Sequence, residues 1–273
     1  MKPKDPVERI VAATTRGIYE SHYLRCNEPS GERALWIKHN ALVPVEGAGI
    51  GEFWAIAFRR GEPPIVVKRE VVWSDVEAAP DAIRLRCGSI SLDPGRSVGS
   101  IAHLGWDLRL TDGHPPLFHL PYASMYTGSF PKKKLLTPAP NLRFDGVFTL
   151  GSETWAIDGW IGARGHNWGT EHAHAYAYGG CNLWDDGVER AVDGFSASIL
   201  LGGRPTPWLT AVVGTDPFVS RNRPRHWLGS GTVAPGRWTA KWWRPGGPVG
   251  GPPVSLELVA DPEGYAGLRY RHP

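Results

Sequence analysis

Apolar and polar residues alternate along most of the chain, in short runs that Gly, Pro, Asn or Asp closes. Alternation with a period of two is typical of strands with one buried face, whereas a helix buries every third or fourth residue. Helical periodicity is confined to Asp5–Arg16, with one further turn at Ser74–Ala79. The pattern therefore predicts an all-β protein with few short helices.

The regular spacing of the runs predicts strands that close into barrels or sandwiches. The predicted strands are Tyr19–Cys26, Ala34–Val43, Glu52–Arg60, Ile65–Val72, Ile83–Cys87, Ser89–Leu92, Ser100–Leu110, Pro116–Leu120, Leu142–Leu150, Glu153–Ala163, Ala173–Leu183, Ala191–Leu201, Thr206–Val213, Trp227–Val233, Arg237–Arg244, Val254–Ala260 and Gly267–Arg271. Gly151 and Ser152 lie between two of these runs and predict a hairpin turn.

One segment, Tyr122–Pro140, is rich in Pro, Lys and Ser and interrupts the alternation. Long stretches of this kind are typical of linkers or functional loops. We therefore expect two β-barrel or sandwich domains, one at 1–140 that includes the linker loop 122–140, and one at 141–273.

Tryptophan is the unusual residue of the composition, with 13 Trp against 2 Met, beside 34 Gly and 25 Pro. Each indole buries a large apolar area and carries one N–H that needs a partner. Such enrichment suits wide apolar walls, which enclose either a core or a cavity for a hydrophobic ligand. Both interpretations stay open at this point.

The charge pattern excludes several functions. A net charge of +3 with scattered basic residues argues against a nucleic-acid partner. The run Lys132–Lys134, beside Pro131, is expected to be a solvated loop. No glycine-rich nucleotide fingerprint, phosphate-binding loop or serine-hydrolase elbow is present in the sequence.

Cys26, Cys87 and Cys181 have no metal-binding or redox spacing, and their odd number is compatible with a reducing compartment. The first residues lack the apolar run of a signal peptide, and no apolar run is long enough for a transmembrane helix. We therefore expect a soluble cytoplasmic protein.

The stretch DGWIGARGHNWG contains the first candidate for catalysis. A period of two along Trp155–Gly162 places Asp158 and Trp160 on one face, opposite Trp155. On a cavity wall, the low dielectric raises the pKa of a carboxyl and keeps it protonated, as an acid that protonates an alkene must be. Tryptophan rings then stabilise the resulting cation. The alternative is that Asp158 caps a turn or pairs with Arg164 at the surface.

The adjoining residues admit two interpretations of equal weight. His166 would relay a proton, Asn167 would orient water or a substrate oxygen, and Trp168 would shield the cation. Alternatively, this is a structural corner in which His166 and Asn167 bond backbone groups and Trp168 fills the core.

Glu171, His172 and His174 are the candidate ligands of a metal site. The two histidines would share one face of a strand, but two ligands do not make a site, and no supporting ligand has suitable spacing. The sequence therefore predicts neither a metal nor another cofactor.

The N-terminal half supplies further candidates for a cavity wall. Alternation in LWIKHN sets Trp36 and Lys38 against Ile37 and His39. His39 is more typical of a hydrogen-bonded core residue, although a cavity wall has the same pattern. We expect Tyr23, Trp36, His39 and Trp106 to contact a bound substrate, together with Trp160 and Trp168.

Six segments, taken in order, resemble a known group of proteins. They are SHYLRCN at Ser21–Asn27, LWIKHN at Leu35–Asn40, EFWAIAF at Glu52–Phe58, GWDLRL at Gly105–Leu110, TGSFPKKKLLTPAPNLRFDG at Thr127–Gly146 and DGWIGARGHNWG at Asp158–Gly169. The group comprises carotenoid 1,2-hydratases (hydroxyneurosporene synthases) and AttH-like proteins, with fungal lipocalin-like Diels–Alderases as more distant relatives by architecture. The resemblance covers about Tyr19–Gly169 and implies a two-domain lipocalin-like fold.

Members of that group differ in chemistry, so the resemblance implies the fold more than the reaction. We expect a cofactor-independent enzyme that protonates a double bond of a hydrophobic polyene or isoprenoid and thereby hydrates, cyclises or isomerises it. Asp158 would be the acid and His166 the relay. The alternatives are a pericyclase that acts by shape, and a non-enzymatic carrier. A peripheral membrane contact would serve substrate uptake.

Overall fold

The structure is a computed structural model, which describes residues 9–111, 113–215, 222–228, 231–242 and 254–261. The strands in these ranges are β1 (Ile18–Asn27), β2 (Arg33–Val43), β3 (Ile50–Arg59), β4 (Ile65–Val72), β5 (Glu77–Ala78), β6 (Leu85–Cys87), β7 (Ile90–Asp93), β8 (Arg96–Ile101), β9 (Leu104–Thr111), β10 (Leu117–Phe118), β11 (Lys133–Leu150), β12 (Glu153–Gly169), β13 (Ala175–Cys181), β14 (Val192–Ser198), β15 (Leu200–Leu201), β16 (Arg204–Pro205), β17 (Leu209–Gly214), β18 (Gly231–Ala234), β19 (Arg237–Trp242) and β20 (Val254–Val259). The helical elements are α1 (Ser124–Thr127) and 3-10 turns at Val11–Ala13, Trp73–Asp75 and Pro224–His226. The all-β prediction is confirmed.

Most strands belong to one curled antiparallel sheet, the main sheet. Its order is β4-β3-β2-β1-β12-β11-β9-β8-β7-β6-β5, and β10 also pairs with β11. One face of this sheet encloses the core, which includes Leu24, Ile37, Phe53, Phe144 and Trp155. A smaller sheet has the order β13-β14-β17, a third has the order β18-β19-β20, and β15 pairs with β16.

The predicted hairpin at Gly151 and Ser152 is present, but its strands extend well beyond the predicted ends. β11 begins at Lys133 rather than Leu142, and β12 continues to Gly169 rather than Ala163. The segment predicted as a linker loop, 122–140, therefore contains α1 and the first part of β11. The division into domains 1–140 and 141–273 stays a prediction, and its boundary lies inside β11.

A β-bulge in β12 overturns the predicted faces of this strand. Asp158 and Gly159 together lie opposite Asp145, because the pairing shifts between Phe144 and Gly146 of β11. Gly159 adopts φ +61°, which glycine tolerates, and its N–H donates to Asp145 Oδ1 at 2.9 Å. The extra residue turns Trp160 into the core, while Asp158 is exposed. The prediction that Asp158 and Trp160 share a face is therefore wrong.

The helical predictions are mostly wrong where the structure tests them. Of the predicted helix Asp5–Arg16, residues 5–8 lie outside the described residues, and the remainder contains only the turn Val11–Ala13. Ser74–Ala79 overlaps the turn Trp73–Asp75 and then becomes β5. The predicted strand Gly267–Arg271 lies outside the described residues. Over the described ranges, no helix has the length and apolar character needed to cross a membrane.

Glycine at position 162 is required where β1 and β12 meet. A Cβ atom at Gly162 would lie 1.9 Å from the carbonyl oxygen of Arg25, an atom of the backbone that cannot move aside without parting the two strands. The Gly-rich character of this stretch therefore reflects close strand packing at the centre of the main sheet.

We predict that Gly162→Ala lowers the free energy of unfolding by about 3 kcal/mol, the upper range for overpacking a buried site. Gly151→Ala is the control, because Gly151 has φ +60° and no atom near the added Cβ, so only backbone strain is introduced. Urea unfolding of both variants measures the difference. A loss for Gly162→Ala no larger than that of Gly151→Ala would contradict the prediction.

Candidate functional site

A cavity of about 940 Å³ lies between one face of the main sheet and the smaller sheet. Its apolar wall includes Tyr23, Trp36, Leu135, Tyr176, Phe195 and Trp227. Its polar wall includes Ser21, Lys38, Asn40, Glu52, Lys133 and Asn167. The volume is in the upper part of the range typical of sites for small organic molecules.

Strict alternation in β1 and β2 builds one wall of this cavity. Tyr23 of β1 and Trp36 and Lys38 of β2 face the cavity, whereas Leu24 and Ile37 face the core. Successive side chains of a strand point to opposite faces, so one run of residues serves both the core and the site. The predicted separation of Trp36 and Lys38 from Ile37 is confirmed.

The structure brings together only part of the predicted site. Tyr23, Trp36 and Asn167 line the cavity. The other predicted residues do not line it: His39, Trp106, Trp160, His166 and Trp168 are buried, and Asp158 is exposed. The burial on which the acid role of Asp158 depended is therefore absent.

Trp106 is a core residue. Its indole N–H donates to Ser97 Oγ at 3.0 Å, and its ring lies against Gly99, where a Cβ would be 2.4 Å away. This buried tryptophan therefore has its polar group satisfied inside the main sheet, as cores require.

His166 belongs to a buried cluster with Glu20 and His22, which sequence analysis missed. Its Nε2 lies 2.7 Å from Glu20 Oε1, and His22 Nε2 lies 3.1 Å from the same oxygen. The two imidazoles stack with centroids 4.0 Å apart, and Trp168 stacks on the other face of His166 at 4.3 Å. Strand pairing explains the assembly, because His22 lies directly opposite His166.

Glu20 is the electrostatic centre of this cluster. Its carboxylate also accepts the backbone N–H groups of Val11 and Ala12, at 2.9 and 2.7 Å. Burial alone raises the pKa of Glu20, but the hydrogen bonds and charges of His166 and His22 outweigh burial and lower it. The group is therefore a charged carboxylate that anchors the segment before β1 to the sheet.

Among the described residues, these three side chains form the one group whose donor atoms are close enough together to hold a metal ion. The ligand atoms of Glu20, His22 and His166 all lie within 4.8 Å of one another. Glu171, His172 and His174, the candidate metal ligands of the sequence, do not form such a group. They line the cavity instead, where Glu171 pairs with Lys132 and His172 stacks on Tyr19 at 3.8 Å.

Asp193 forms a second buried cluster, which joins the two sheets. It is 1% exposed and accepts hydrogen bonds from Tyr178 Oη at 3.0 Å and Thr137 Oγ1 at 2.5 Å. Arg25 of β1 pairs with it at 3.5 Å and donates to the carbonyl of Gly180 at 3.2 Å. Burial raises the pKa of Asp193, but Arg25 and the hydrogen bonds lower it overall, so the carboxylate is charged.

The only sequence signal for this second cluster was weak. Asp193 stands in the apolar run AVDGF, where a charged residue is unusual in a buried strand. Its partners are 56 residues away at Thr137 and 168 residues away at Arg25. No local pattern reveals pairs of such separation.

The lysine run contradicts the solvated-loop expectation. Lys133 is the first residue of β11 and faces the cavity, as Lys38 of β2 does. Burial lowers the pKa of Lys133 to about 8. Burial, with a contribution from the charge of Lys133, also lowers the pKa of Lys38 to about 8, against the opposing effect of Glu52. Two amines of reduced basicity therefore face one cavity.

Gly165 gives the ring of Tyr23 its place in the wall. A Cβ at Gly165 would lie 2.1 Å from the Tyr23 ring, which rests across the backbone of β12. The ring also makes edge contacts with Trp36 and Tyr178, at centroid distances of 6.0 and 6.2 Å. The wall is thus an aromatic surface that continues from one sheet to the other.

Comparisons with known proteins establish the fold. No family model and no curated protein matches the chain. Solved structures similar to it include CghA with Sch210972, at 12% identity over 84% of this chain and 67% of that chain, with a TM-score of 0.50. A protein from Nitrosomonas europaea, provisionally described as AttH, has 12% identity over 78% of this chain and 72% of its own, with a TM-score of 0.49. At this identity the likeness to CghA shows the fold alone, which is all-β and lipocalin-like.

The burial of His39 is expected to make the folded protein less stable in acid. His39 is 1% exposed, and burial, together with the charge of His22, lowers its pKa from 6.5 to about 3. The unfolded chain therefore binds this proton first as the pH falls. The stabilising effect of His39 is complete above about pH 6.5 and is lost progressively toward pH 3.

We predict that His39→Leu makes stability less steeply dependent on pH between 6 and 4, by at most about 1.4 kcal/mol per pH unit. Chemical denaturation across this range measures the slope. The control is His103→Gln, which removes a histidine from an exposed position. Equal slopes for His39→Leu and the unmodified protein would disprove the assignment.

Proposed function

We propose that the protein binds an apolar organic molecule between its two sheets and promotes a cofactor-independent rearrangement by holding that molecule in a reactive conformation. The observation that carries this proposal is the 940 Å³ cavity with its aromatic wall. Confinement that aligns reacting atoms removes much of the entropic part of a barrier. The pericyclase alternative is therefore preferred to protonation.

The carboxyl groups of the cavity argue against protonation of a double bond. Glu20 is held charged by its hydrogen bonds, Glu52 pairs with Lys68, and Glu171 pairs with Lys132. A carboxylate held by donors is a poor proton source at neutral pH. In the described part of the wall, every carboxyl group has such a partner, and Asp158 lies outside the wall.

Fold similarity adds limited support. CghA, whose fold is similar, was solved with Sch210972. A ligand in that structure is consistent with ligand binding by this fold, and the reaction proposed for the present chain rests on its own cavity.

A carrier is the second candidate, and the pairing of polar side chains favours it. Ser21 donates to Asn40 Oδ1 at 2.6 Å, and Tyr178 donates to Asp193. Groups engaged in this way hold the wall rigid rather than act as a nucleophile or base. A carrier would return its ligand chemically unchanged after incubation, whereas the appearance of product would exclude this candidate.

Filling the cavity tests the binding proposal. Ala197 lines the cavity from β14, and we predict that Ala197→Trp weakens binding of a neutral apolar probe, N-phenyl-1-naphthylamine, at least tenfold. The control, Ala156→Trp, adds the same side chain at an exposed position of β12 outside the cavity. Probe fluorescence measures both affinities. Equal affinities for the two variants would exclude the cavity as the binding site.

Uptake of such a ligand explains the apolar rim of the cavity. Phe130, Leu200 and Leu201 line it and are each more than half exposed, at 56%, 52% and 57%. Lys132, two residues after Phe130 in the sequence, also lines the cavity and is exposed. Apolar side chains next to a cation suit transient contact with an anionic membrane surface. This contact is part of the proposal.

We predict that the double variant Phe130→Ser/Leu201→Ser sediments less with vesicles of phosphatidylserine and phosphatidylcholine than the unmodified protein does. The matched control is Val259→Ser, since Val259 is 73% exposed but lies on β20 and does not line the cavity. Sedimentation that is unchanged in the double variant would remove the membrane contact from the proposal and leave the cavity untouched.

A further inference from the structure

Two lysines from separated strands of the main sheet face the cavity. Lys133 lies in β11 and Lys38 in β2, with β1 and β12 between these strands. Lys133 Nζ lies 3.8 Å from the centroid of the Tyr176 ring, and Lys38 Nζ lies 5.1 Å from that of Trp36. Each ammonium group therefore has an aromatic face beside it. The charge of Lys133 also contributes to the lowered pKa of Lys38, so Lys38 lies within electrostatic reach of it.

A buried ammonium group is costly unless a counter-charge is near. Lys132, which also lines the cavity, has such a counter-charge because it pairs with Glu171. Lys133 forms no ion pair with any residue that the structure describes. A ring face attracts a cation but carries no net charge and does not neutralise it. The position beside Lys133 is thus electrostatically suited to an anion.

We propose that the molecule bound in the cavity is an amphipathic acid, with an apolar chain against the aromatic wall and a carboxylate beside Lys133. This inference rests on the proposed function, because it names the chemical class of the ligand of the same cavity. Lys38 contributes further positive potential to the same cavity from β2, which β1 and β12 separate from β11. A carboxylate would complete the charge pairing that the protein's described residues leave open at Lys133.

The electrostatics of the wall exclude a simpler role for Lys133 as a solvated surface lysine. Its ammonium group is enclosed by the ring of Tyr176 and the cavity, and burial weakens its basicity. By contrast, Lys132 is 57% exposed although it is adjacent in sequence. Strand alternation separates the two, with one side chain at the rim and the next in the wall.

The test compares cis-parinaric acid with its methyl ester, two fluorescent polyenes that share a chain and differ in the charge of the head group. We expect the unmodified protein to bind the acid at least tenfold more tightly than the ester. Lys133→Met should weaken binding of the acid at least tenfold and leave binding of the ester unchanged. Lys133→Arg should retain the preference, because it restores the charge.

Lys241→Met is the control for net charge, since Lys241 is exposed on β19 outside the cavity. It should not alter either affinity. Equal binding of acid and ester by the unmodified protein would overturn the inference while leaving the binding proposal intact. A preference for the acid that survives in Lys133→Met would overturn the role of Lys133. Failure of both ligands to bind the unmodified protein would instead count against the proposed function.

Discussion

The arrangement of the two sheets depends on the contacts that the buried carboxylate of Asp193 makes. Asp193 lies on β14 of the smaller sheet. Its carboxylate accepts a hydrogen bond from Thr137 of β11 and forms an ion pair with Arg25 of β1, both in the main sheet. Removing one partner of a buried charge leaves the other unpaired, at a cost of several kcal/mol. A fixed distance between the sheets follows, and with it the depth of the space between them.

The central strands of the main sheet contribute to both the core and the cavity wall, because both of their faces are covered. One face of β1 and β12 buries His22 and His166, and the other presents Tyr23 and Asn167 to the cavity. The polar residues on the core face are buried and charged or stacked, whereas the cavity face is largely aromatic. Polarity alone therefore does not distinguish the site from the core in this protein.

Sequence reasoning succeeded where a period of two was uninterrupted. The alternation separated Trp36 from Ile37 and Tyr23 from Leu24, and the regular pairing of β1 with β2 keeps these side chains on opposite faces. It failed at Asp158, because one extra residue in the bulge reverses the alternation and only the pairing with β11 reveals that residue. It also missed Glu20 and Asp193, whose partners are brought close by strand pairing and sheet packing over long stretches of chain.

The bulge at Gly159 divides β12 into two segments. In each segment, different neighbouring strands determine which side chains point to which face. The segment after Gly159 takes its register from both β1 and β11, and the segment before it pairs with β11 alone. An insertion or deletion near the hairpin could be absorbed at the bulge without exchanging His166 and Asn167 between the two faces. The strand that contributes to both core and cavity is thereby insensitive to changes in length at its distant end.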